Sequence, residues 1–160
     1  MDRGNQKLNF DKINISEMAH LIADSQQHNA DNKNIKIHSE IEEDIFIIGD
    51  EMMIMRIFVN LISNAINYGR ENGNIWIKLT QDKNFAICKI IDDGIGIEKE
   101  NIPKIWGRFY QVESSRTTEN LGLGLSMVKW IIEAHKGDIY VESEIGKGSS
   151  FIFKLKKEVK

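Results

Sequence analysis

One cysteine and one proline are all that this chain of 160 residues holds of those types. A single thiol, Cys88, cannot form an internal disulfide or build a cysteine-rich zinc site. Set between Ile87 and Lys89, it reads as a small buried side chain in a reducing compartment. No apolar run approaches the length of a membrane span, and the N-terminus lacks the apolar core of a signal peptide. A basic surplus is missing as well: 21 lysines and arginines face 24 aspartates and glutamates, a formal charge of −3. Nucleic-acid binding usually needs a basic stripe, so no nucleic-acid partner is expected. There is no internal repeat and no low-complexity segment. What remains is ordinary for a soluble domain with a sizeable core: 41% hydrophobic and 28% charged residues. A single domain over residues 1–160 is the expectation.

Periodicity supplies the elements. Leu8 to Ile15 alternates and predicts a short strand. Ser16 is the expected N-cap of a helix, with Glu17 in its first turn and Met18, Leu21, Ile22 and Ser25 on one face. That helix should fade in the polar run Gln26 to Asn34. Ile35 to Ile41 and Ile45 to Ile48 predict two strands, the second closed by Gly49. Asp50 opens the longest helix, whose stripe is Ile54, Ile57, Phe58, Leu61, Ile62 and Ala65, and Gly69 ends it. Asn72-Gly73 marks a tight turn. Asn74 to Thr80 and Phe85 to Asp92 read as an antiparallel pair joined by Gln81 to Asn84. Glu98 to Asn101 predicts a helical turn before Pro103, and the aperiodic, polar Val112 to Leu121 predicts a mobile loop. Gly122 to Lys136 predicts a helix with Gly137 as its C-cap. Ile139 to Ser143 and Ser149 to Leu155 predict strands about the turn Gly146-Lys147-Gly148. The order predicts a two-layer α/β sandwich: a mixed, mostly antiparallel sheet with helices on one face.

Three stretches carry chemistry. In Ile91-Asp92-Asp93-Gly94-Ile95-Gly96-Ile97, a buried strand ends in a carboxylate and a permissive turn. Asn60, Asn64 and Asn67 share one face of the long helix, about a quarter-turn from its stripe, with Tyr68 beyond. Neutral amide oxygens suit Mg²⁺, which keeps most of its water and takes phosphate oxygens. Leu121-Gly122-Leu123-Gly124-Leu125-Ser126 opens a helix, where backbone N–H groups and the helix dipole favour an anion. Singly, these are also a Gly-rich turn, a solvated flank and a loop-to-helix junction. Together they fit one ligand with a base, a metal and phosphates.

Five motifs in order then make the chain recognisable. They are Asn60-Leu61-Ile62-Ser63-Asn64-Ala65-Ile66-Asn67-Tyr68, Asp92-Asp93-Gly94-Ile95-Gly96-Ile97, Ile105-Trp106-Gly107-Arg108-Phe109-Tyr110, Gly122-Leu123-Gly124-Leu125-Ser126 and Gly146-Lys147-Gly148-Ser149. From about Leu8 to Leu155 the chain resembles the ATP-binding catalytic domain of bacterial sensor histidine kinases. These belong to the gyrase, heat-shock-chaperone, histidine-kinase and mismatch-repair ATPase superfamily, whose fold is the Bergerat-type sandwich. The resemblance implies ATP and Mg²⁺ as ligands. Asp92 would accept the adenine amino group, Gly94, Gly96 and Ile97 would border the base, and Tyr68 would flank it. Asn64, helped by Asn60, would hold Mg²⁺; Gly122, Leu123, Gly124 and Leu125 would offer amides to the phosphates. Arg108 would reach the terminal phosphates from the base of a lid running from Phe109 to Leu121. Asp93 would be dispensable.

The sequence departs from the family at Asn67, where a phosphate-touching lysine is common, at Trp106, usually phenylalanine, and at Asn120 and Leu121, usually glycine and threonine. None of His20, His28, His38 and His135 has the context of a phospho-acceptor. The expected function is transfer of the ATP γ-phosphoryl group to a histidine on a separate dimerisation domain, feeding a response regulator in two-component signal transduction. Two alternatives are a hydrolytic ATPase of the gyrase or mismatch-repair type and a serine kinase of the anti-sigma-factor type. Both tend to carry a glutamate where Asn60 stands, and an amide cannot act as a general base. The fragment is expected to be cytoplasmic, monomeric and without membrane contact of its own, even if its parent is a membrane-bound sensor.

Overall fold

The computed structural model describes residues 7–107 and 124–158. In chain order these form β1 (Phe10–Asn14), α1 (Ile15–Asp31), β2 (Lys36–Ile41), β3 (Phe46–Asp50), α2 (Glu51–Asn67), β4 (Asn74–Gln81), β5 (Phe85–Asp92), a 3-10 helix (Lys99–Lys104), α3 (Gly124–Ala134), β6 (Asp138–Glu144) and β7 (Gly148–Lys156). β1 and β3 pair antiparallel as a ribbon of their own. The other strands make one sheet in the order β2-β4-β5-β7-β6. Only the β2–β4 pair is parallel, so the sheet is mixed and mostly antiparallel, as the element order predicts.

Alternation decides which face is covered. Ile75, Ile77 and Leu79 of β4, Ala86, Cys88 and Ile90 of β5, and Phe151, Phe153 and Leu155 of β7 join one core with the helices. α2 brings Ile54, Ile57, Phe58, Leu61, Ile62, Ala65 and Ile66 to it, and Phe58 meets Phe153 edge to face at 5.6 Å. Val128, Ile131 and Ile132 add the buried side of α3. Burial pushes the Cys88 thiol far above its usual range, which keeps it inert. Among the described residues no helix is long and apolar enough to cross a membrane.

The structure revises α1. Its N-cap is Asn14, whose side chain accepts the Glu17 N–H at 3.1 Å. Ser16 is instead buried, donating to the Glu42 carbonyl at 2.6 Å and accepting from the Ile45 N–H at 3.0 Å. The buried face runs through Ile15, Met18, Ala19, Ile22 and Ala23 to Gln26 and Ala30, leaving Leu21 65% exposed. Nor does the helix fade at Gln26. Gln27 bonds Asp31 and the Ile35 carbonyl and accepts from the Ile37 N–H, so a polar run is held as helix by the strand that follows. At the end of α3 the left-handed residue is Lys136, at φ 58°, not Gly137. Gly137 is needed for contact: a Cβ there would lie 2.2 Å from the Lys154 carbonyl oxygen.

Asp50 caps α2 as expected, accepting the Met53 N–H at 3.1 Å. It also accepts the Asn9 N–H at 2.9 Å, while its own N–H donates to His135 Nε2 at 3.0 Å. The opposite ring nitrogen of His135 bonds the Ile131 carbonyl at 2.8 Å, and Phe10 stacks on the imidazole. One node thus joins the ribbon, the start of α2 and the end of α3.

Candidate functional site

β5 delivers the carboxylate. With Ala86, Cys88 and Ile90 facing the helices, a period of two puts Asp92 on the same side at the strand's last residue. Asp92 is 6% exposed. Burial pushes its carboxyl up to about 6, against backbone bonds from Gly94, at 2.9 Å, and Ser149, and the Asp93 charge adds to the rise. Asp93 turns elsewhere: it accepts the Asn74 N–H at 2.8 Å and the Asn74 side-chain amide at 3.1 Å. It clamps the start of β4, so the fold does not dispense with it.

The turn after Asp92 is wedged between two neighbours. A Cβ on Gly94 would lie 2.2 Å from the Tyr68 carbonyl oxygen, and one on Gly96 would lie 2.2 Å from that of Glu144. The protein's own backbone therefore already demands both glycines. The Ile95 N–H donates to Tyr68 at 3.2 Å, and the Gly146 N–H donates to Ile95 at 2.9 Å. Ile97 gives its N–H to Ser143 Oγ at 2.8 Å; that hydroxyl in turn donates to the Gly148 carbonyl at 2.9 Å. The β6–β7 turn is thus a brace for the Gly94–Ile97 stretch.

α2 forms the second wall. Its last turn has no basic residue, yet its final carbonyls are not left bare. Lys33, from the loop after α1, donates to Ile66, Asn67 and Gly69 at 3.0, 2.9 and 3.4 Å. Tyr68, the C-cap, is served by Ile95. A cation at this end complements the helix dipole. Asn64 and Asn60 lie one and two turns back from Tyr68, at about 5.4 Å per turn. Both amides are half-buried and make no hydrogen bond with the described residues. Asn67, on the same face in the last turn of α2, also lines a groove of about 300 Å³ with Gln26, Asn29, Asn32 and Lys33.

α3 closes the site. Its described residues run from Gly124, and Leu125 packs against the core. One turn in, Met127 Sδ stands 3.9 Å from Nη1 of Arg56 on α2. Trp106 meets Phe151 edge-on at 6.0 Å and lies under the Lys129 ammonium at 5.3 Å, so the indole keeps a packing role. Arg108, Gly122, Leu123 and the lid stretch lie outside the described residues.

This donor set fits the expected metal. Among the described residues no three His, Cys, Asp or Glu side chains group as ligands. Two unbonded amides at i and i+4 suit a hard cation that keeps its waters. Lys33 and Ser143, which brace the walls of the site, escaped the motif reading. The missing base in the last turn of α2 was the one signal for Lys33; nothing local marked Ser143.

The chain is 34% identical over 155 residues to the sensor histidine kinase YclK of Bacillus subtilis, covering 94% of this chain and 33% of YclK. It is 31% identical to the sensor histidine kinase WalK of the same species, covering 96% of this chain and 26% of WalK. The chain therefore spans about a third or less of these relatives. The solved catalytic domain of the histidine kinase ThkA superposes with a TM-score of 0.82 at 28% identity, covering 94% of this chain and 97% of that one. ThkA solved in complex with the response regulator protein TrrA matches at a TM-score of 0.76 and 27% identity, over 93% of this chain and 42% of that chain. Residues 49–159 match the histidine kinase-, DNA gyrase B-, and HSP90-like ATPase family, and the chain belongs to it.

Proposed function

We propose that this chain binds Mg-ATP and supplies the γ-phosphoryl group for a histidine on a separate dimerisation domain, in two-component signalling that ends at a response regulator. The observation that carries the reading is Asp92, a buried carboxylate at the end of β5, beside a helix that presents two amides with no hydrogen bond to the described residues. Ionised, Asp92 accepts a hydrogen bond from the adenine amino group; guanine offers a carbonyl there and is refused. Gly94, Gly96 and Ile97 border the base, and Tyr68 flanks it. Asn64 and Asn60 hold Mg²⁺ against the phosphates, with Asn67 on the same helix. Bound there, Mg²⁺ offsets negative charge on the phosphate oxygens. Gly124 and Leu125 offer backbone N–H groups to the phosphates; Gly122, Leu123 and Arg108, which the resemblance adds for the phosphates, lie outside the described residues. Asn60 has no basic lone pair to activate water. The acceptor must then bring its own nucleophile, as an imidazole nitrogen does. In the transfer, that nitrogen bonds phosphorus, the bond to ADP oxygen breaks, and the imidazole proton departs.

The support is the family membership, the sensor-kinase relatives and the ThkA–TrrA complex. As an isolated domain the chain is taken to be a monomer, over residues 1–160. The test incubates the chain with γ-labelled Mg-ATP and candidate dimerisation domains. Acid-labile, base-stable label on the partner is expected. Acid-stable label, or brisk ATP turnover by the chain alone, overturns the proposal.

A further inference from the structure

We propose that Arg56 is a phosphate-binding residue of this chain, contacting the terminal phosphate of ATP. This rests on the nucleotide reading above. Position 67, where the resemblance would put a lysine, is an uncharged asparagine. Asn67 also sits toward the groove beside α1, with Lys33 spent on the α2 carbonyls. Arg56 lies at the other end of the same face. It precedes Asn60 by four residues and Asn64 by eight, so all three project from one side of α2. Read from its C-terminus, α2 offers Tyr68 beside the Asp92 turn, then Asn64, Asn60 and Arg56, each about one turn of 5.4 Å further on. That order follows a nucleotide from base, through metal-bound phosphates, to the terminal phosphate.

Arg56 also bridges toward α3. Its Nη1 lies 3.9 Å from Met127 Sδ, within a turn of Gly124, the first described residue of α3. A thioether is a weak acceptor. No carboxylate among the described residues forms an ion pair with Arg56, although its side chain is exposed. The helix does not explain the residue either. α2 is capped by Asp50, and Arg56, in its second turn, is past the end at which the helix dipole acts. A guanidinium left with such a partner, next to two unbonded amides, is suited to a phosphate, which it can grip with two parallel bonds.

Calorimetric titrations of wild type, Arg56→Gln and Arg56→Lys with Mg-ATP, Mg-ADP and adenosine test this. For Arg56→Gln the Kd for ATP should rise on the order of tenfold, while those for ADP and adenosine stay within about twofold. Arg56→Lys should recover part of the loss, because it restores the charge without the fork. Wild type binding ATP, with Arg56→Gln changing ATP and ADP equally or not at all, overturns the role of Arg56 and leaves the nucleotide site standing. Wild type failing to bind ATP overturns both. Should Arg56→Gln not fold, the ATP-to-ADP ratio of Arg56→Lys against wild type decides by the same comparison.

Discussion

Asp50 and Asp92 each close a strand, β3 and β5, and each is buried, 9% and 6% exposed. Their surroundings treat the charge in opposite ways. Burial works against the Asp50 carboxylate, yet N–H donors from Asn9 and Met53, with His135 close by and a further bond from Met52, hold its pKa below the ordinary value. Asp92 sits much deeper in the protein, and there burial prevails over the backbone bonds from Gly94 and Ser149, lifting the carboxyl to about 6. A carboxylate whose charge the fold satisfies stabilises the fold. One set deep in the protein costs stability when ionised, because burial outweighs the bonds it accepts. The contrast separates a carboxylate near the surface, which caps a helix, from one set deep at the end of β5, where the proposed nucleotide site lies.

Gly94→Ala should disturb the Asp92 side most. Its Cβ would meet the Tyr68 carbonyl oxygen at 2.2 Å and Asp92 Oδ1 at 2.9 Å, driving the turn off α2. Urea melts should show a loss of about 3 kcal/mol, with ATP binding lost as well. Gly146→Ala is the control: among the described residues nothing lies within 4 Å of its Cβ, so its φ of +82° is what is penalised, by about 1 kcal/mol. Equal losses from the two would mean that the wedge against α2 is unimportant.

Asp50→Ala should cost about 2 kcal/mol of stability, from a lost cap and an orphaned Asn9 N–H, with ATP affinity held within about twofold. Its pH signature has a definite sign. Because the folded pKa is depressed, its contribution is present above the ordinary carboxylate pKa and is lost as pH falls through the folded value. Asp92 runs the other way. Its folded pKa is raised, so its contribution is present below the ordinary value and is lost as pH rises through about 6. Stability profiles of the two variants against wild type should therefore diverge in opposite senses between acid and neutral pH.

The smallest effect on the fold belongs to Asn64→Ala. Its half-buried amide bonds nothing among the described residues, so stability should stay within about 0.5 kcal/mol. Magnesium-dependent ATP affinity should fall about tenfold, with adenosine unaffected. Adenosine weakening in step with ATP would place Asn64 at the base instead.

Local chemistry was legible in the sequence. The cap at Asp50, the stripe of α2 and the Gly146–Gly148 turn follow from neighbours in the chain, and each stands where the residues put it. Non-local partners were not. Ser16 looks like a cap, but its hydroxyl belongs to Glu42 and Ile45. Gln26 to Asp31 looks like a helix end, yet bonds to β2 keep it helical. The insertion of β7 between β5 and β6 leaves no local mark. The same division runs through the site. Asp92, Asn60 and Asn64 show as a pattern, whereas Lys33 and Ser143 act on groups far along the chain. The glycines were legible as a motif, but their reason lay in the backbone they touch.

Asp92→Asn tests the central claim most directly, because it keeps the shape and removes the charge. Thermal melts and ATP titration at pH 7.5 should be run on one preparation. Relief of the buried charge should leave the variant as stable as wild type or more so, by on the order of 2 kcal/mol, while ATP binding disappears. An Asp92→Asn chain that binds ATP with unchanged affinity, or that loses stability as Asp50→Ala does, would contradict the account.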